Sequence, residues 1–257
     1  MTALYDITSW NAQPWYSTGG TRAKKYIQSR DRKYYFFKRS QLKPGKDYKF
    51  EFWSEIIAGQ VGQFLGFNVL GYDIAIDGEI IGCISASMID PDKEELIEGL
   101  RYLQGYDNTF NPEKPNLRKL YSFQLIDSTL AKFGLGNFME GIIETIVFDS
   151  IIGNSDRHQE NWAFITENYV FGEIFKQFDD IFLSVRNPKS LAPIYDNGSS
   201  LGRELSEERV AQLLDDEAQF NRYIDRGKAE IHWKDGKISH FDLIRHLLKS
   251  SYRTINY

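Results

Sequence analysis

Residues 151–161 read I-I-G-N-S-D-R-H-Q-E-N and are followed by the apolar W-A-F-I of 162–165. Upstream, residues 138–152 form a long apolar run with helical character, and it stops at Gly153-Asn154-Ser155, a combination that ends helices in loops. Downstream, Trp162–Ile165 predicts a short buried strand. Asp156, Arg157, His158 and Asn161 therefore fall within six positions on a loop held at both ends by apolar elements. Such a loop has little freedom, which suits chemistry more than packing.

The spacing narrows that chemistry. Protein kinases carry a catalytic loop in which a base aspartate stands five residues before a metal-binding asparagine. Asp156 and Asn161 keep that interval, with the Arg and His after the Asp rather than before it. A second acidic motif should then supply the other magnesium ligand. Residues 192–201, A-P-I-Y-D-N-G-S-S-L, place Asp196 at the end of an apolar segment and the start of a Gly/Ser turn. Alone, either motif is a common turn or cap pattern. In this order, each closing an apolar run, they point to phosphoryl transfer. The D-R-H-x-x-N order resembles the atypical kinases, both HipA-like protein kinases and phosphatidylinositol kinases. The second motif is most similar to the HipA C-terminal kinase domain.

Composition limits the alternatives. The 257 residues carry a net charge of −5, so there is no basic field for nucleic acid, and direct nucleic-acid binding is disfavoured. A single cysteine, Cys83, permits no internal disulfide and fits a reducing cytosol. It lies in an apolar strand-like run and reads as core. No signal peptide pattern opens the chain and no apolar run is long enough to span a bilayer, so no membrane partner is expected.

Residues 15–40 read as two strands around a glycine turn. Gly19 and Gly20 are flanked by Ser17, Thr18 and Thr21 and followed by Lys24 and Lys25. Backbone amides in such a turn approach phosphates closely, and nearby lysines neutralise them. Tyr34–Lys38 is a strong strand ending in a lysine, where a kinase carries its phosphate-binding lysine. The HipA loop G-x-Q-x-K is matched at Gly20 and Lys24, with Arg22 in place of the glutamine. Residues 50–65 predict a helix, ended by Gly66, whose Glu55 borders the apolar stripe and is the expected partner of Lys38; Glu51 is expected to be a solvated surface acid. A hairpin over Tyr72–Ile76 and Glu79–Met88, turning at Asp77-Gly78, leads to an expected hinge, where Met88 either packs near the adenine or is ordinary core.

Beyond Pro91, helical patterns cover 92–103, 117–133, 138–152, 206–224 and 239–252. Residues 169–171 are expected to pair with the strand at 162–165, and 175–193 to be an irregular insertion. His232, His240 and His246 lack metal-ligand spacing and read as surface or packing residues. The resulting expectation is an α+β, bilobal protein-kinase-like fold. Its β-rich N-lobe spans 1–88 and its helical C-lobe 89–257.

The resemblance covers nearly the whole chain, without the additional N-terminal β domain of HipA itself. It implies an ATP- and Mg-dependent serine/threonine protein kinase. Asp156 would act on the acceptor hydroxyl, while Arg157 and His158 would either assist the γ-phosphate or brace the loop. Asn161 and Asp196 would hold magnesium. Gly19, Gly20, Lys24, Lys38, Glu55 and Met88 would bind the nucleotide. It further implies a toxin-like or effector kinase acting on a protein substrate such as a translation factor, with an antitoxin partner for a toxin. Its place would be the cytoplasm, or a host cytosol for an effector. Self-modification at Thr18, Ser17 or Thr21 in the glycine loop is a further implication. Glu160 departs from the HipA pattern, which commonly has lysine there. A phosphatidylinositol kinase and a pseudokinase binding module remain as alternatives, although no strongly basic amphipathic stretch suits a lipid surface.

Overall fold

The computed structural model describes residues 2–13, 24–40, 49–114, 117, 119–167 and 188–250, with backbone alone at 42–43 and 46–47. The chain divides into two compact units. The first comprises Met1–Met88 with Pro193–Asp215, the second Ile89–Ala192 with Asp216–Tyr257. The sequence reading ran the second lobe unbroken from 89 to 257. Residues 193–215 instead belong with the first unit, because Ile194 pairs there. Its N–H donates to the Asn68 carbonyl (2.8 Å), and its carbonyl accepts from Leu70 N–H (2.9 Å).

The first unit is built on a sheet. Strands β1 (Leu4–Asp6), β2 (Asn11–Ala12), β3 (Lys24–Gln28) and β4 (Tyr34–Lys38) precede the short pair β5 (Leu42–Lys43) and β6 (Lys46–Asp47). Helix α1 (Glu51–Phe64) and the hairpin β7 (Asp73–Asp77) and β8 (Ile80–Ala86) follow. Among the described residues the main sheet orders its strands β1-β7-β8-β4-β3-β2, antiparallel except for β1 with β7. Alternation along the aromatic strand β4 sets its two faces. Phe37 enters a core with Ile7, Ile27, Ala75 and Ile84. Phe36 and Lys38 point the other way, opposite Tyr26 and Lys24 in register. On that face α1 packs through Ile56 against Tyr72 and Cys83. The turn residue Gly78 has φ +63°, a backbone conformation that favours glycine.

The second unit is organised around a helix. Strand β9 (Glu94–Glu98) runs into α2 (Gly99–Tyr106), and α3 (Phe123–Lys132) precedes the central α4 (Met139–Ile152). After the loop come β10 (Ala163–Glu167) and β11 (Pro188–Leu191). The closing helices are α5 (Glu207–Asp215, in the first unit), α6 (Glu217–Arg226) and α7 (His240–Lys249). Ile142, Ile143 and Ile146 of α4 pack with Leu130, Phe164 and Leu243 in one core. Gly99 lies flat on Trp162, where a Cβ would come within 2.1 Å of the indole.

Several element expectations are corrected. The stretch 92–103 is a strand followed by a helix, because Glu94–Glu98 pairs antiparallel with β10 and tertiary pairing overrides helical propensity. The sheet partners of β10 are thus β9 and β11; residues 169–171, and most of 175–193, lie outside the described residues. The helix expected over 117–133 starts at Phe123, where the Ser122 hydroxyl caps it by accepting from Leu125 N–H (3.2 Å). The helix expected over 206–224 breaks at Asp216, whose carboxylate caps α6 by accepting from Gln219 N–H (2.9 Å).

Candidate active site

In the first unit, the polar residues singled out from the sequence meet at Lys38. Its ammonium, at the end of β4, donates to Glu55 Oε1 (2.8 Å) and to Asp196 Oδ1 (3.0 Å). The Tyr72 hydroxyl lies 3.5 Å away, and its ring centroid 5.3 Å away. Glu55 is 1% exposed, and its second oxygen accepts the Asn197 N–H at 2.8 Å. One glutamate therefore fixes both the lysine and the residue after Asp196. Asp196 has φ +57°, a conformation that aspartate tolerates better than most residues. Burial works to lower the Lys38 pKa, but Asp196 and Glu55 outweigh it and hold the group well above its ordinary value. Burial likewise pushes up the Tyr72 hydroxyl and the Cys83 thiol, so both stay neutral. Two carboxylates against one ammonium leave this cluster net negative.

Lys24 stands opposite Lys38 in register and on the same sheet face. Met88 is half-buried at the point where the chain leaves the first unit. Gly19, Gly20, Ser17, Thr18 and Thr21 lie outside the described residues. Glu51 corrects an expectation: it is not solvated but 6% exposed, 3.6 Å from Arg203 Nη1.

In the second unit, α4 ends at Gly153 with φ +66°, the left-handed stop that glycine serves best. The loop is then tied down from inside. Arg157, 1% exposed, donates through Nη2 to Asp149 Oδ1 (2.8 Å), through Nε to Oδ2 (3.0 Å) and through Nη1 to the Asn161 carbonyl (2.9 Å). Asn154 donates to Asp149 Oδ1 (3.1 Å) and accepts the Asp156 N–H (3.2 Å). Asn161 Nδ2 donates to the Asp156 carbonyl (2.7 Å), which orients the amide and leaves Oδ1 as its donor atom for a metal. The Glu160 N–H donates to His158 Nδ1 (3.3 Å), which orients a partly exposed imidazole.

Asp156, Asn161 and His158 thus share one braced loop, with Asp156 half-buried. Of the two roles open to Arg157 the geometry favours bracing, since it is buried and committed to Asp149 and the Asn161 carbonyl. Sequence reasoning missed Asp149 and Asn154. The available signal was Asp149 itself, a charge within the apolar I-V-F-D-S-I-I that burial obliges to find a partner. Asp196 and the Asn161 amide are hard oxygen donors, the donor chemistry magnesium takes. Among the described residues no group of three or more His, Cys, Asp or Glu side chains is placed to hold a metal.

The fold is similar to that of CtkA, a proinflammatory kinase of Helicobacter pylori. The TM-score is 0.68 at 20% sequence identity, covering 93% of this chain and 76% of that one. The fold is that of a bilobal kinase. No protein-family model and no curated protein matches the sequence. In kinase folds a strand lysine pairs with a helix glutamate, the arrangement of Lys38 and Glu55. Among the described residues no helix is long and apolar enough to cross a membrane.

Proposed function

We propose that this chain is an ATP- and Mg-dependent serine/threonine protein kinase of the HipA-like type, toxin-like or effector-like in role. The observation that carries the reading is the buried Lys38, which touches both the helix acid Glu55 and the motif acid Asp196. A solvated edge lysine would touch neither. Asp156 takes the proton of the acceptor hydroxyl as its oxygen bonds to the γ-phosphorus and the bond to the ADP oxygen breaks. Lys38, set by Glu55, holds the α/β-phosphates. Asp196 and Asn161 would each offer an oxygen to magnesium, which would offset phosphate charge when bound. His158 offers its ring to the transferring phosphoryl group, and Arg157 keeps the loop in shape.

The substrate is a protein, for which a translation factor is the expectation, and an antitoxin would partner a toxin. The fold shared with a proinflammatory kinase accords with an effector role. The test is transfer of radiolabel from ATP to proteins of a cell lysate, with the labelled species identified by mass spectrometry. Wild type should label at least one protein with magnesium. Asp156→Asn should not, while still binding nucleotide by calorimetry. Equal labelling by the variant would remove Asp156 from its role, and labelling of lipid vesicles instead of protein would overturn the protein-kinase reading.

A further inference from the structure

The segment after Asp196 is fastened to α1 at two points. The first is the Asn197 N–H on Glu55. The second is Arg203, which lies 3.6 Å from Glu51 Oε1 and donates through Nη2 to Ser199 Oγ at 2.9 Å. Glu51 and Glu55 are one helical turn apart and share a face. Gly198 fits against both: a Cβ there would lie 3.1 Å from Glu51 Cγ and 3.3 Å from Glu55 Oε1. Left-handed residues at Asp196, Leu201 and Gly202 (φ +57°, +56° and +68°) curl the chain into a compact turn. Ser200 tightens it by donating to the Asn197 carbonyl at 2.6 Å.

We infer that Glu51 and Arg203 are positioning residues for Asp196. They anchor the far end of the turn that presents the Asp196 carboxylate, as Glu55 anchors its near end. Without the second anchor the far end of the turn loses its tie to α1, and the Asp196 carboxylate is held less firmly in its metal-binding pose. Glu51 also stands in the first turn of α1, where an acid favours the helix dipole. A purely structural role for it would therefore appear in stability and not in metal dependence. The inference rests on the kinase reading, since it assigns Asp196 to magnesium.

The test compares wild type with the double variant Glu51→Gln/Arg203→Met, which removes both charges together and so leaves no buried orphan. The readouts are Tm, ADP binding in EDTA, and the magnesium concentration giving half-maximal enhancement of ADP binding. The expected result is a Tm and EDTA-state affinity near wild type, with the magnesium midpoint raised about 10- to 100-fold, as for other outer partners of metal ligands. Arg203→Lys keeps the cation and should recover most of the wild-type midpoint; Arg203→Gln removes it and carries the comparison if the double variant does not fold, and a midpoint indistinguishable from wild type in Arg203→Gln then overturns the inference. A folded double variant with a wild-type midpoint overturns it too, leaving the kinase reading intact. Wild type whose ADP binding is indifferent to magnesium overturns both.

Discussion

Arg157 and Asp149 form a two-pronged ion pair beneath the loop that carries Asp156 and Asn161, with both carboxylate oxygens engaged at 2.8 and 3.0 Å. Arginine's planar fork suits this geometry and lysine's point charge does not. Removing either partner strands a charge in the core. Arg157→Ala or Asp149→Ala should therefore destabilise the protein by about 3–5 kcal/mol. Chemical denaturation measures this, and a loss below about 1 kcal/mol would contradict the bracing role.

Lys38→Met is expected to abolish transfer and also to lower Tm, because Glu55 and Asp196 are left facing each other without their shared cation. Adding Glu55→Gln should restore much of the stability and none of the activity. Scanning calorimetry with a transfer assay separates the two effects. A single variant as stable as wild type would mean that the ammonium is not needed to hold the two carboxylates together.

Asp196→Ala and Asn161→Ala should each weaken nucleotide binding in magnesium and leave binding in EDTA nearly unchanged, since each removes an oxygen donor. Thermal stabilisation by ATP, with and without the metal, reads this directly. Unchanged stabilisation in both variants would remove the metal assignment.

His240 sets an expectation for pH. It is 4% exposed, neither ring nitrogen has a hydrogen-bond partner among the described residues, and it borders a small cavity with Asp149, Asn154, Arg157 and Glu230. Burial lowers its pKa, Lys237 acts in the same direction, and Asp149 opposes them. Below the unfolded value of about 6.5, the unfolded chain takes up a proton that the folded chain resists. This contribution is present above that pH and is lost as pH falls towards the folded value. Wild type should accordingly lose more Tm between pH 7.5 and 5.5 than His240→Phe does; parallel losses would refute this.

Purified protein incubated with magnesium-ATP should gain phosphate on the peptide containing Ser17, Thr18 and Thr21, with Thr18 first. A phosphate adds about −1.5 to −2 charges, which in the loop that the HipA resemblance implies would repel the nucleotide's own phosphates. Mass mapping checks it, and Asp156→Asn should remain unmodified. An unmodified peptide in a preparation that labels another protein would end the idea.

The legible parts of the site were those with rigid spacing. Asp156 and Asn161 are five residues apart on one loop, and Lys38 ends an unmistakable aromatic strand. Glu55 was found because it borders an apolar stripe. Glu51 was misread because nothing local marks Arg203, 152 positions later, as its partner. The strand at Glu94–Glu98 was hidden for a related reason: E-E-L-I-E suits a helix as well as a strand, and only pairing with Ala163–Glu167 decides it. Arg157 could pass for a phosphate ligand because burial cannot be read from a motif. Glu51 and the Glu94–Glu98 strand escaped because contacts between distant positions set them, and the Asp149–Arg157 pair because burial did.

The return of Pro193–Asp215 to the first unit means that the chain passes from one unit to the other at 88, at 192 and again at 215. Neither unit can be cut out as one uninterrupted stretch. A fragment ending at Met88 would keep Lys38 and Glu55 but lose Asp196, Asn197 and Arg203. Its helix would then carry Glu51 without Arg203, and Glu55 without the Asn197 N–H. Expressing that half alone should give an aggregating product, and supplying residues 193–215 as a separate peptide is the simplest way to make it fold.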